Sequence, residues 1–159
     1  MESRVKLLGH PVHQMLIVFP LGLLGASVVF DLLHRLTDLP SMAPVAYWTM
    51  AGGLLSGVLA APFGTIDWLA IPKGTRAKAV GALHGGGNVL VLLLFLGSWL
   101  SRHAHDMAAT NAATAMSLAG LALAMVTAWL GGELVDRLGI GVSEQAHLNA
   151  PSSLRQPHG

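Results

Sequence analysis

Long apolar runs alternate with short polar breaks along the chain. Residues 14–35, 44–70, 78–101 and 112–136 are each dominated by Leu, Val, Ala, Gly and Met. Each run exceeds the roughly 20 residues that a helix needs to cross a bilayer. The breaks "RLTDLPS", "IPKGTRAK" and "RHAHDMAATN" are short and carry turn or helix-stopping residues. The pattern predicts an all-α protein, a bundle of four transmembrane helices with both termini on one side. Pro20 falls inside the first run and predicts a local kink that frees the carbonyl of Leu16. From Gly141 to Gly159 the chain turns polar, and this stretch is expected to be a disordered tail.

Small residues repeat every four positions inside the runs. Gly53, Gly57 and Ala61 do so in the second, Gly81 and Gly85 in the third, Gly120 and Ala124 in the fourth. That spacing lets helix backbones approach closely and predicts a compact bundle. The first run could instead be read as a secretory leader, with Arg4 and Lys6 before it. It is long for that role, and "GAS" makes a poor cleavage site, so it is kept as a helix.

Composition sharpens this picture. Only 11% of the 159 residues are charged, against about 25% in soluble domains. The net charge of +1 gives no case for nucleic-acid binding. The absence of cysteine excludes disulfides, thiolate-held iron–sulfur clusters and covalently attached haem. Arg4, Lys6, Lys73, Arg76, Lys78, Arg137 and Arg155 fall at one end of the bundle, and only Arg35 and Arg102 at the other. By the positive-inside rule the termini face the cytoplasm of a multi-pass protein of the inner (plasma) membrane.

Titratable residues then fall in a pattern. His10 and His13 stand at the entrance of the first helix, with Pro11 suited to its first turn and His10 placed as its cap. Asp67 lies near the end of the second helix, His84 near the start of the third and Glu133 near the end of the fourth. All four helices thus bring an ionisable group to the same end, where each would be costly without a partner or a role. Asn88 lies one turn from His84, on the same face. The arrangement also repeats weakly between halves: a histidine early in one helix (His13, His84), a carboxylate late in the next (Asp67, Glu133). At the opposite end, Asp31 and His34 share a face, and His103, His105 and Asp106 read as a solvated loop.

The segments "GHPVHQMLIVFPLGLL", "TIDWLAIP", "ALHGGGNVLVLLLFL" and "GGELVDRLGIGV" together resemble the bacterial membrane family catalogued as domain of unknown function 2231. The resemblance runs from about Leu8 to Val142, with Gln14 where the family's opening motif carries a second proline. It implies no settled activity. Some relatives look as though they are fused to, or lie beside, Rieske-type or cytochrome domains, which implies a membrane redox setting and a redox protein as partner.

Several functions follow as expectations. The first is b-type haem held by His84 and by His13 or His10, with Asn88 nearby and Asp67 and Glu133 orienting ligands or taking protons. The second is a divalent zinc, iron or manganese ion bound directly by His10, His13, Asp67, His84 and Glu133. Proton or cation transport, which would require a homo-oligomer, and a structural subunit without cofactor are the others. No nucleophile arrangement and no HExxH motif is present, so no independent catalytic activity is expected.

Overall fold

Within lipid, every backbone N–H and C=O needs a partner, and a helix supplies one inside each segment. The computed structural model describes residues 1–155 and has this form. A small hairpin pairs β1 (Lys6–Leu7) with β2 (His10–Pro11), turning through Leu8 and Gly9, both at positive φ. Such a two-residue turn matches the twist of the strands and needs a residue like Gly9 to adopt it freely. The chain continues into α1 (Val12–Leu16) and α2 (Val18–Thr37), then α3 (Met42–Ala70), α4 (Arg76–Ser101) and α5 (Asn111–Gly132), which ends in a π-helical turn over Glu133–Arg137.

The four spans, Val12–Thr37, Met42–Ala70, Arg76–Ser101 and Asn111–Arg137, contain 26 to 29 residues. At 1.5 Å per residue they are roughly 39–44 Å long, enough to cross a bilayer with its headgroups. Threonine hydroxyls set two of the starts: Thr75 accepts from the Lys78 N–H and Thr110 from the Ala113 N–H. The first span breaks at Ile17, between α1 and α2. Pro20 has no N–H to give the Leu16 carbonyl, so the helix yields there.

The helices pack as two antiparallel hairpins, α2 on α3 and α4 on α5, closed into one bundle. Leu24, Val28, Met50, Val91, Phe95 and Ala124 form the apolar core. Glycines let this core close. A Cβ on Gly53 or Gly57 would lie 2.7 Å from the side chains of Leu24 and Leu92 respectively. Gly85, predicted to belong to the same packing pattern, faces open space instead. Leu55, Val58, Val89, Leu93 and Val126 point outward, as lipid-facing side chains do.

Packing is uneven along the bundle. Residues 12–23, 61–70, 82–90 and 128–133 contain no buried residue. Those segments lie between the apolar core and the end at which the termini meet, where Ser3, Ile71, Val80 and Leu134 are buried. Residues 141–155, predicted to be disordered, form no α-helix and return to the N-terminal segment. The Gly141 N–H donates to the Met1 carbonyl (2.9 Å), and the Ser153 hydroxyl to that of Leu8 (2.9 Å). The rest of the predicted tail, 156–159, lies outside the described residues.

A candidate two-histidine site

His13 enters α1 one residue after its start, and Pro11, not His10, is the residue that caps the helix. From there the His13 Nδ1 donates to the Ala60 carbonyl of α3 at 3.1 Å. Its ring lies against Gly64, where a Cβ would come within 2.7 Å of Cε1. His84 repeats the arrangement on the other hairpin. Its Nδ1 donates to the Thr127 carbonyl of α5 at 2.8 Å, and its ring lies beside Gly131, 3.1 Å from where a Cβ would be. In both halves the glycine stands four residues after the carbonyl. The internal repeat is therefore a histidine seated over a glycine, with its Nδ1 on the preceding turn.

The two rings share a depth. Gly57 lies against Leu92 and Trp68 against Gly81, which fixes the antiparallel register of α3 and α4. Continuing that register brings residue 65 beside His84, one position from the glycine that carries the His13 ring.

This hydrogen bonding sets the chemistry. A carbonyl only accepts, so each neutral ring carries its proton on Nδ1 and its lone pair on Nε2. A histidine that ligates a metal is held in the same way, its second nitrogen tied to a carbonyl or carboxylate. Among the described residues no hydrogen bond reaches the His13 Nε2. The His84 Nε2 has only the Asn88 Nδ2, at a long 3.4 Å. Asn88 is anchored elsewhere, donating to the His84 carbonyl (2.8 Å) and accepting from the Thr127 hydroxyl (3.0 Å).

The other residues predicted for the site are engaged in different contacts. Asp67 accepts from the Ser3 hydroxyl and the Arg4 N–H, both at 2.7 Å, and so ties the N-terminal segment to α3. Glu133 pairs with Arg76 at 2.6 Å and joins the end of α5 to the start of α4. His10 is exposed on β2, 3.5 Å from the Ser153 hydroxyl. Among the described residues, no group of three or more His, Cys, Asp or Glu side chains is gathered where one metal ion would reach them all. The predicted five-residue metal shell is thus not assembled, because both carboxylates are already held in end-to-end ties.

The opposite end carries the residue that sequence reasoning missed. Arg102, predicted to lie in the solvated loop, is fully buried. Its guanidinium makes two 2.6 Å hydrogen bonds to the Asp31 carboxylate and further ones to Ser98 (3.0 Å) and Ser117 (3.2 Å). The Ser98 and Ser117 hydroxyls meet at 2.7 Å. Asp31 from α2, Arg102 after α4 and Ser117 from α5 therefore form a polar plug across the bundle.

Residues 9–144 match the model of a family described as "Predicted membrane protein (DUF2231)", and the chain belongs to that family. No curated protein and no solved structure matches the chain.

Proposed function

We propose that the chain is a membrane subunit that holds a b-type haem between His13 and His84 in a redox setting. The observation that carries this reading is the tautomer. Two histidines from different hairpins, at one depth, each spend Nδ1 on a backbone carbonyl and leave the Nε2 lone pair available. The donor count favours haem over a directly bound ion. A zinc, iron or manganese site draws three or more ligands from the protein, whereas a porphyrin brings four nitrogens of its own and asks for one or two axial side chains. The two histidines meet that need.

The surroundings fit a flat, bulky group. The carbonyls that hold the rings belong to buried residues, Ala60 and Thr127, while the neighbouring stretches 61–70, 82–90 and 128–133 bury no residue. Gly64 and Gly131 beneath the rings leave no side chain to crowd them. When bound, haem would supply a one-electron couple in lipid, while the protein orients it and shields it from water. Asp67 and Glu133 have no part in this reading, since both are committed to contacts at the bundle end.

The test is an absorption spectrum of the detergent-purified chain, produced with ample haem, air-oxidised and then dithionite-reduced. A Soret band that shifts on reduction, and that is absent from the His13→Ala/His84→Ala double variant, is expected. A featureless spectrum, or a band that survives loss of both histidines, overturns the reading.

A further inference from the structure

The two halves of the site match in how they hold Nδ1 but differ around Nε2. Four residues after His84 stands Asn88, and the carbonyl that holds His84 belongs to Thr127. The corresponding positions in the first half are Ile17, four residues after His13, and Ala60, whose carbonyl holds His13. A polar pair on one side thus has an apolar pair as its counterpart on the other.

Asn88 has little freedom. The single Thr127 hydroxyl proton lies between the Asn88 Oδ1 and the Ala124 carbonyl, both at 3.0 Å, and one amide hydrogen of Asn88 is given to the His84 carbonyl. The second amide hydrogen has the His84 Nε2 as its neighbour, at 3.4 Å. Thr127 is itself buried, so the anchor is a packed side chain rather than a mobile one. Any group that takes the His84 lone pair must displace this donor and leave an amide N–H without its acceptor. Among the described residues, no donor guards the His13 lone pair.

Building on the two-histidine haem reading, we infer that Asn88, held by Thr127, makes His13 the constant ligand of the pair and His84 the exchangeable one. A small uncharged ligand enters the site on the His84 side. Asn88 acts through His84 and is a positioning residue. The contest is between one hydrogen bond made and one lost. A net hydrogen bond of about 0.5–1.5 kcal/mol converts to about a three- to tenfold bias toward the ligand-open form.

Carbon monoxide is the probe, titrated into the haem-loaded, dithionite-reduced full chain in detergent and followed in the Soret region. Asn88→Leu is expected to bind it about three- to tenfold more weakly than the unsubstituted chain. Thr127→Val preserves the shape of the buried side chain and removes the hydroxyl that contacts Asn88 and the Ala124 carbonyl, so it shifts affinity in the same direction and stands in if Asn88→Leu folds poorly. Of the single histidine variants, His84→Ala keeps its Soret band and His13→Ala loses it. Unchanged carbon monoxide affinity in the substituted chains overturns the inference while leaving the haem reading intact, as does equal haem retention by the two histidine variants. A chain with no Soret band removes both readings together.

Discussion

Asp31 and Arg102 face each other through two parallel hydrogen bonds of 2.6 Å, and both side chains are buried. The pair joins α2 to the end of α4, so it crosses between the two hairpins of the bundle. Ser98 and Ser117 also accept from the Arg102 Nη2, while its buried Nε has no partner among the described residues. A charge held away from water requires this degree of pairing, because an isolated one in lipid is strongly disfavoured.

Removing one partner should therefore be far worse than removing both. Asp31→Asn or Arg102→Met leaves the other charge buried and uncompensated, an expected loss of about 3–5 kcal/mol. The double variant Asp31→Leu/Arg102→Met is expected to recover most of it. Thermal unfolding in detergent, followed by circular dichroism, checks this through a double-mutant cycle. Equal losses for the single and double variants would show that the pair does not hold the bundle together.

Asp67 gives a separate prediction, because its carboxylate binds residues 3 and 4 rather than the histidines. Asp67→Ala should free the N-terminal segment and raise hydrogen exchange at residues 3–5, with the amides of α3 and α4 unaffected. The Soret band of the haem-loaded chain should not move. A change in that band would return Asp67 to the site.

The contrast between these two carboxylates explains what the chain reveals of itself. The apolar runs made the four spans legible, since length and hydropathy alone decide whether a helix can cross lipid. His13 and His84 were legible too, because polar groups in apolar runs stand out and because the two stood at the same end. The carboxylates misled. Asp67 and Glu133 lie at the correct depth, but their partners, Ser3, Arg4 and Arg76, are set by how the bundle end folds rather than by spacing along a helix. Arg102 was lost to a boundary. It follows α4 directly and reads as loop, yet it stands four residues after Ser98, so a helical face continued by one residue would have placed it with the buried serines. Asn88 was seen beside His84, but its tie to Thr127 crosses between helices and has no sequence spacing of its own.

Arg76 and Glu133 test how much the bundle-end ties contribute. Arg76 is largely exposed, so its bond to Glu133 is screened by solvent. Arg76→Ala is expected to change stability by less than about 1 kcal/mol, in line with other exposed ion pairs. A shift of the unfolding midpoint as large as that of Arg102→Met would contradict the ranking of the two ends.

The glycines under the histidine rings make the sharpest demand. Gly64→Ala would put a methyl 2.7 Å from the His13 Cε1, closer than real contacts allow, and Gly131→Ala would crowd His84 less severely at 3.1 Å. The His13 ring must move, which strains the hydrogen bond from its Nδ1 to the Ala60 carbonyl. Gly85→Ala meets open space and serves as the control for an added methyl on a membrane helix. Since alanine favours helix over glycine by about 1 kcal/mol, none of the three variants should lose helical content by circular dichroism. Haem retention is expected to fall steeply in Gly64→Ala, less in Gly131→Ala and not at all in Gly85→Ala, read as the Soret-to-280 nm absorbance ratio after purification. If the three retain haem alike, the histidine rings are not held in the site by the glycines beneath them.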